Sequence, residues 1–266
     1  MSIVRKVGED EISKAIINEA LKELENLVDV DAVVVGSGPS GLTCSYYLAK
    51  YGLKTVLIER RLSFGGGIGG GGMLLPSIVI ESPAAELIHD EFLVNVKKIR
   101  DGLYVMNPAE FIAKLASKAI DAGVKVLLGV SVEDVIFRSN PLRIAGVVIN
   151  WSAVHISQLW VDPLFIKAKA VIDATGHDAE IVNIVSKKIP DFKLTLKGEK
   201  SACSIEAEDL IISYSGKVVE GLYVTGMATA KVYGLPRMGP IFGGMVLSGK
   251  KTAEEVYRDL SKELNR

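Results

Sequence analysis

DAVVVGSGPSG, residues 31–41, is a short apolar run that ends in Gly36-Ser37-Gly38-Pro39-Ser40-Gly41. The run reads as a buried strand, and the glycine turn opens a helix that continues through Tyr51. A G-x-G-x-x-G pattern is weak evidence by itself, and a chance glycine turn stands against it. Its surroundings strengthen it. KTVLIE (54–59) is a second strand, and its last residue, Glu59, sits where dinucleotide-binding βαβ units place the acid that accepts from ribose hydroxyls. Gly36 permits the tight turn, Gly38 lets the backbone approach a pyrophosphate, and Gly41 lets helix and strand pack closely. The helix N-terminus supplies N–H groups and a positive dipole end for phosphate. Ser37, Ser40 and Arg60 join the candidate cofactor residues. Arg60 and Arg61 raise a preference for a 2′-phosphate, which the acidic Glu59 opposes.

Outward from this unit, residues 10–27 predict an amphipathic helix before the first strand. Residues 65–73 (GGGIGGGGM) are too glycine-dense for a regular element. They read either as a flexible surface loop or as a backbone surface that approaches a ligand, with Gly67 a candidate contact. Residues 108–123 predict a helix, 124–150 several short strands, and 187–209 polar, irregular or edge structure. KAVIDATGH (169–177) and GLYVTGMA (221–228) are strands that run into turns, and 236–260 turns into a C-terminal helix. The fold class is α/β: a Rossmann-like dinucleotide-binding fold, read as a single domain over 1–266 with the nucleotide unit at about 30–60 and strands inserted in the middle.

The chain has 266 residues, with 31 Lys and Arg against 32 Asp and Glu. That balance gives no electrostatic footprint for nucleic acid. Two cysteines, Cys44 and Cys203, show neither a disulfide framework nor metal-ligand spacing, which fits a reducing compartment. Residues 1–10 lack the apolar run of a signal peptide, and no stretch is long and apolar enough to span a bilayer. A cytoplasmic location with no membrane partner is the expectation.

VIDATGH and GLYVTGMA resemble strand ends of the flavoprotein disulfide-reductase-like superfamily. There an Asp near the C-terminus holds the ribitol of FAD. Here the matching position is Met227, which accepts no strong hydrogen bond and points to another ADP-bearing ligand. Over almost its whole length the chain resembles the thiazole synthases of thiamine biosynthesis, of the NAD-consuming eukaryotic and archaeal type. The carriers are GSGPSGL (36–42), Glu59-Arg60, GGGIGGGGM (65–73), VDP (161–163), TGHD (175–178) and RMGPIFGGMVLSG (237–249). The resemblance implies loss of nicotinamide from NAD, condensation of the opened ADP-ribose with glycine, sulfur transfer, cyclisation and dehydration to an ADP-thiazole carboxylate. It implies Fe(II) held by Asp162 and His177, a glycine carboxylate held by Arg237, and a ring-like homo-octamer. His155 matches a family histidine that serves as a proton shuttle or supports a ligand.

Each residue also has a plainer reading. Asp162 before Pro163 can start a turn. His177 can be a structural histidine, His155 an exposed polar residue, and Arg237 a surface ion pair. Eukaryotic members carry a sulfur-donating cysteine two residues before the matching Asp. This chain has Trp160, so free sulfide becomes the expected sulfur source. An FAD-dependent oxidoreductase, a sugar-phosphate isomerase of the same fold and a non-catalytic NAD-binding module remain open alternatives.

Overall fold

The computed structural model describes residues 4–264. Residues 1–3, part of the stretch read above for a targeting signal, lie outside it. In chain order the elements are α1 (Glu9–Leu27), β1 (Asp29–Val35), α2 (Pro39–Lys50), β2 (Thr55–Glu59), β3 (Ile78–Glu81), α3 (Ala84–Phe92), β4 (Val96–Arg100), β5 (Leu103–Met106), α4 (Pro108–Asp121), β6 (Lys125–Leu128), β7 (Val130–Ser139), β8 (Leu142–Trp151) and α5 (Ser152–Ile156). There follow β9 (Leu164–Asp173), α6 (Glu180–Lys188), β10 (Lys200–Ala202), α7 (Ser204–Tyr214), β11 (Gly216–Val219), β12 (Leu222–Val224), α8 (Met227–Tyr233), β13 (Pro236–Arg237) and α9 (Gly243–Leu264).

The apolar run of the fingerprint becomes β1, and its alternation explains the layers. Ala32 and Val34 pack with Leu42 of α2, Phe111 of α4 and Val246 of α9. Val33 and Val35 pack on the opposite face with Val135 of β7, Val147 of β8 and Val182 of α6. A strand covered on both faces reads as continuously apolar, as a central parallel strand should. Each such buried Val or Leu contributes roughly 1.5–3 kcal/mol.

The main sheet has eight strands, with the path β11-β12-β9-β1-β2-β6 and the β7–β8 hairpin joined to β9 through β8. β2 and β9 flank β1, both parallel to it. The chain therefore leaves β1 first toward β2 and later returns on the other side. That reversal opens a crevice beyond the carboxyl ends of β1 and β9, where ligands bind in open α/β sheets. β9 does double duty: Leu164–Lys167 pair antiparallel with β8, and Lys167–Asp173 pair parallel with β1.

Two expectations change. Residues 65–73 are not wholly irregular. Ile68–Gly70 form a 3-10 turn, because Ile68 is fully buried and Gly65 N–H donates to Ser37 O at 2.9 Å. The polar stretch 187–209 holds the short edge strand β10, as expected, but also the start of α7, whose Ala207 and Ile211 are buried at a helical interval of four. The predicted N-terminal helix forms, yet Ile12, Ile16, Ile17 and Leu21 on it are exposed. Among the described residues no helix is long and apolar enough to cross a membrane.

At the start of α9, Glu208 accepts a hydrogen bond from Gly244 N–H and lies against Glu81. Glu81 Oε2 and Glu208 Oε1 are buried without a partner, and one proton between the two carboxyls satisfies both. Burial, reinforced by the Glu81 carboxyl, pushes Glu208 up to about 8. A carboxyl raised in the folded state stabilises fully below its ordinary value of 4.5, and that stability is lost as the pH rises through about 8. The wild-type melting midpoint is therefore expected to fall by a few °C more than that of Glu208→Gln between pH 5 and 9, on the order of 2–4 °C per kcal/mol. Equal slopes in the two melting series would remove the shared proton.

Candidate functional site

The fingerprint loop lies at the carboxyl end of β1, and the glycines there are required by contact. A Cβ on Gly36 would meet Ala174 O at 2.5 Å, and one on Gly41 would meet Gly36 O at 1.9 Å. Above Gly38 nothing lies within 4 Å, so that backbone is open to a ligand. Glu59 ends β2 and is buried. Its Oε2 accepts from Ser37 N–H at 3.0 Å and Ser37 Oγ at 2.7 Å, and its Oε1 from Arg61 N–H at 2.9 Å. These bonds fix the carboxylate at the rim where a ribose would reach it.

The facing wall comes from β9. Asp173 is fully buried at its end. Its Oδ1 accepts from Thr175 N–H and Oγ, and its Oδ2 from Val182 N–H. Burial pushes the Asp173 carboxyl up, while these hydrogen bonds pull it down. Thr175 Oγ in turn accepts from Glu180 N–H at 2.7 Å. This network shapes the turn Gly176–Asp178 that presents His177. Nearby, Arg60 pairs with Glu180, whose carboxyl is pushed up chiefly by burial and drawn back by Arg60.

Both walls bound one open cleft of about 1530 Å³, lined by Gly36, Ser37, Gly38, Ser40, Glu59, Arg60, Gly67, His155, His177, Met227 and Arg237. That exceeds the volume of about 300–1,000 Å³ usual for a single small ligand. Met227 is 5 % exposed and opens α8 beneath the fingerprint loop, where a Cβ on Gly226 would meet Ser40 Oγ at 2.2 Å. Gly41 does not line the cleft; it packs α2 on the turn. Arg237 ends β13, whose partner β10 sets it by a parallel ladder, Ala202 opposite Arg237.

Asp162 is not in the cleft. It is exposed and precedes β9, whereas His177 follows it. The length of a ten-residue strand, about 30 Å when extended, stands between them. Within one chain the two expected metal ligands therefore sit at opposite ends of β9 rather than together. Trp160 is 102 % exposed and packs on nothing. Among the described residues no group of three His, Cys, Asp or Glu side chains gathers as a metal site.

Two carboxylates escaped the sequence reading: Asp173, fully buried behind the cleft wall, and Glu199, which lines the cleft. Asp173 had a signal, a lone carboxylate inside the apolar strand AVID. Glu199 had none: it sits in a polar stretch rich in Lys, and only the fold brings it to His177 and Arg237.

Fold and cleft define a Rossmann-like α/β protein of the dinucleotide-binding class. Residues 13–242 match the Thi4 family. A thiamine thiazole synthase of Saccharolobus islandicus is 56 % identical over 259 residues, 97 % of each chain, and that of Sulfolobus acidocaldarius is 55 % identical over 257. The crystal structure of Thermovibrio ammonificans THI4 superposes with a TM-score of 0.93 at 42 % identity, over 98 % of this chain and all of that one. The chain belongs to the Thi4 family. Likeness along its whole length supports a role as an enzyme of thiamine biosynthesis.

Proposed function

We propose that the cleft takes NAD as a substrate, releases nicotinamide, and joins the opened ADP-ribose to glycine and sulfide to give an ADP-thiazole carboxylate. One observation carries this reading: a dinucleotide loop, a histidine and an arginine fork share a cleft larger than one small ligand needs. The free face of Gly38 and the N–H groups that open α2 suit the pyrophosphate. Glu59 receives the ribose hydroxyls. Met227 beneath the loop offers no anion or strong acceptor of the kind that holds a flavin ribitol, which favours NAD over FAD. Arg237 presents a planar fork to the glycine carboxylate. His155, which lines the cleft, moves a proton.

The donor chemistry fits Fe(II). His177 has one ring nitrogen engaged by Glu199, leaving the other for a metal, and a carboxylate completes a pair that leaves positions open. Bound there, Fe(II) supplies a Lewis-acidic centre beside which sulfide and substrate meet. The carboxylate is Asp162 of a second copy of the chain. Ile156, Leu159, Trp160, Val161, Leu164 and Phe165 form an exposed apolar surface around Asp162, the kind of surface a subunit interface covers. A homo-oligomer, an octamer by family resemblance, thereby completes each cleft.

Mass spectrometry of the small molecule released on denaturing the purified protein tests the reading. An adenylated thiazole is the expected ligand. Stoichiometric FAD, visible as a yellow protein, would overturn it.

A further inference from the structure

His177 Nδ1 lies 2.6 Å from Glu199 Oε2. The other oxygen of the same carboxylate, Oε1, lies 3.9 Å from Nε of Arg237. Of the three side chains Glu199 is the least exposed, at 16 %, against 50 % for His177 and 60 % for Arg237. The carboxylate is the fixed point, and the other two each approach a different oxygen of it.

Its backbone is fixed as well. Gly198 N–H donates to Lys231 O and Lys200 N–H to Leu235 O, both at 3.0 Å, so position 199 is flanked by hydrogen bonds on either side. Lys200 and Ala202 then pair with Pro236 and Arg237. The ladder that holds Glu199 therefore also sets Arg237. The asymmetric distances matter too. A looser contact at Nε leaves the two terminal NH₂ groups of Arg237 free for a carboxylate, while the close contact at Nδ1 commits the imidazole.

An ionised carboxylate only accepts, so Nδ1 must carry the proton of the neutral ring and Nε2 must present its lone pair. We infer that Glu199 is a positioning residue: its one carboxylate fixes His177 as the Nδ1–H tautomer and holds Arg237 in register beside it. The chemical use of that arrangement rests on the proposed function, in which Nε2 meets a metal and Arg237 a substrate carboxylate. A ligating histidine whose second nitrogen is held by a carboxylate is a better-oriented and more basic ligand.

The test uses protein labelled with ¹⁵N-histidine, without metal or substrate. There are three histidines, His89, His155 and His177, and a His177→Asn variant assigns the signal. Long-range proton–nitrogen spectra of the neutral ring are expected to show protonated Nδ1 and bare Nε2 at His177. In Glu199→Ala the proton moves to Nε2, while Glu199→Gln, whose amide oxygen still accepts, keeps it on Nδ1. Titration with Fe(II) alone is expected to be weakened about 10- to 100-fold in Glu199→Ala and less in Glu199→Gln. An Nε2–H ring in the wild type, or a tautomer unchanged in Glu199→Ala, overturns the inference whatever the iron titration gives. The wild-type spectrum decides even if a variant fails to fold. Normal spectra with no Fe(II) binding in any form would instead leave the tautomer assignment standing and remove the metal from the proposed function.

Discussion

In anaerobic titration, Asp162→Ala and His177→Ala are each expected to lose Fe(II) affinity by more than about 100-fold, since a direct ligand should cost more than its supporting partners do. The two variants fail for different reasons. On the proposed function, His177→Ala is expected to empty its own cleft and Asp162→Ala that of the neighbouring copy. Co-expression of the two variants therefore separates a shared site from a site within one chain. In a mixed assembly some clefts keep their own His177 and face an intact Asp162, about one in four after random exchange. Binding is expected to return to that fraction and to iron-dependent activity with it. No recovery on co-expression would place both ligands in one chain, against the strand that separates them. Undiminished affinity in both single variants would remove the metal assignment.

The fingerprint was legible because its chemistry is local. Gly41 is dictated by contact with Gly36 O within the turn itself, and Glu59 is bound to Ser37 within the same βαβ unit. The continuous apolar run 32–35 likewise reads as a strand buried on both faces. What the sequence did not yield depends on long-range placement. Ile68 turns a glycine run into an ordered element by burying one side chain, which composition does not reveal. Glu199 becomes a partner of His177 only because β10 pairs with β13. Ile12, Ile16, Ile17 and Leu21 of α1 and the apolar residues of 156–165 look like core in a periodicity count, yet the single chain leaves them exposed. Asp162 shows the same limit, since its closeness in sequence to His177 is undone by the length of β9.

The largest effect expected from the proposed function concerns sulfur, and it is all-or-none. A self-sacrificing enzyme stops after one product per subunit. Trp160 has no sulfur to give. Cys44 is fully buried, and burial pushes its thiol well up, which suppresses the thiolate. Cys203 is partly exposed. It follows the cleft-lining Ala202, and its N–H donates to Arg237 O at 3.1 Å. That places it closer to the site than its sequence position suggested and makes it the one thiol to test. With sulfide as donor, a Cys203→Ser variant, alone or with Cys44→Ala, keeps its activity, because no protein sulfur enters the product.

The most direct measurement counts product per subunit when NAD, glycine, Fe(II) and sulfide are supplied without oxygen, with intact-protein mass recorded before and after. The expected result is many adenylated thiazoles per subunit and an unchanged mass. A single turnover accompanied by conversion of Cys203 to dehydroalanine would contradict it, as would no adenylated thiazole at all.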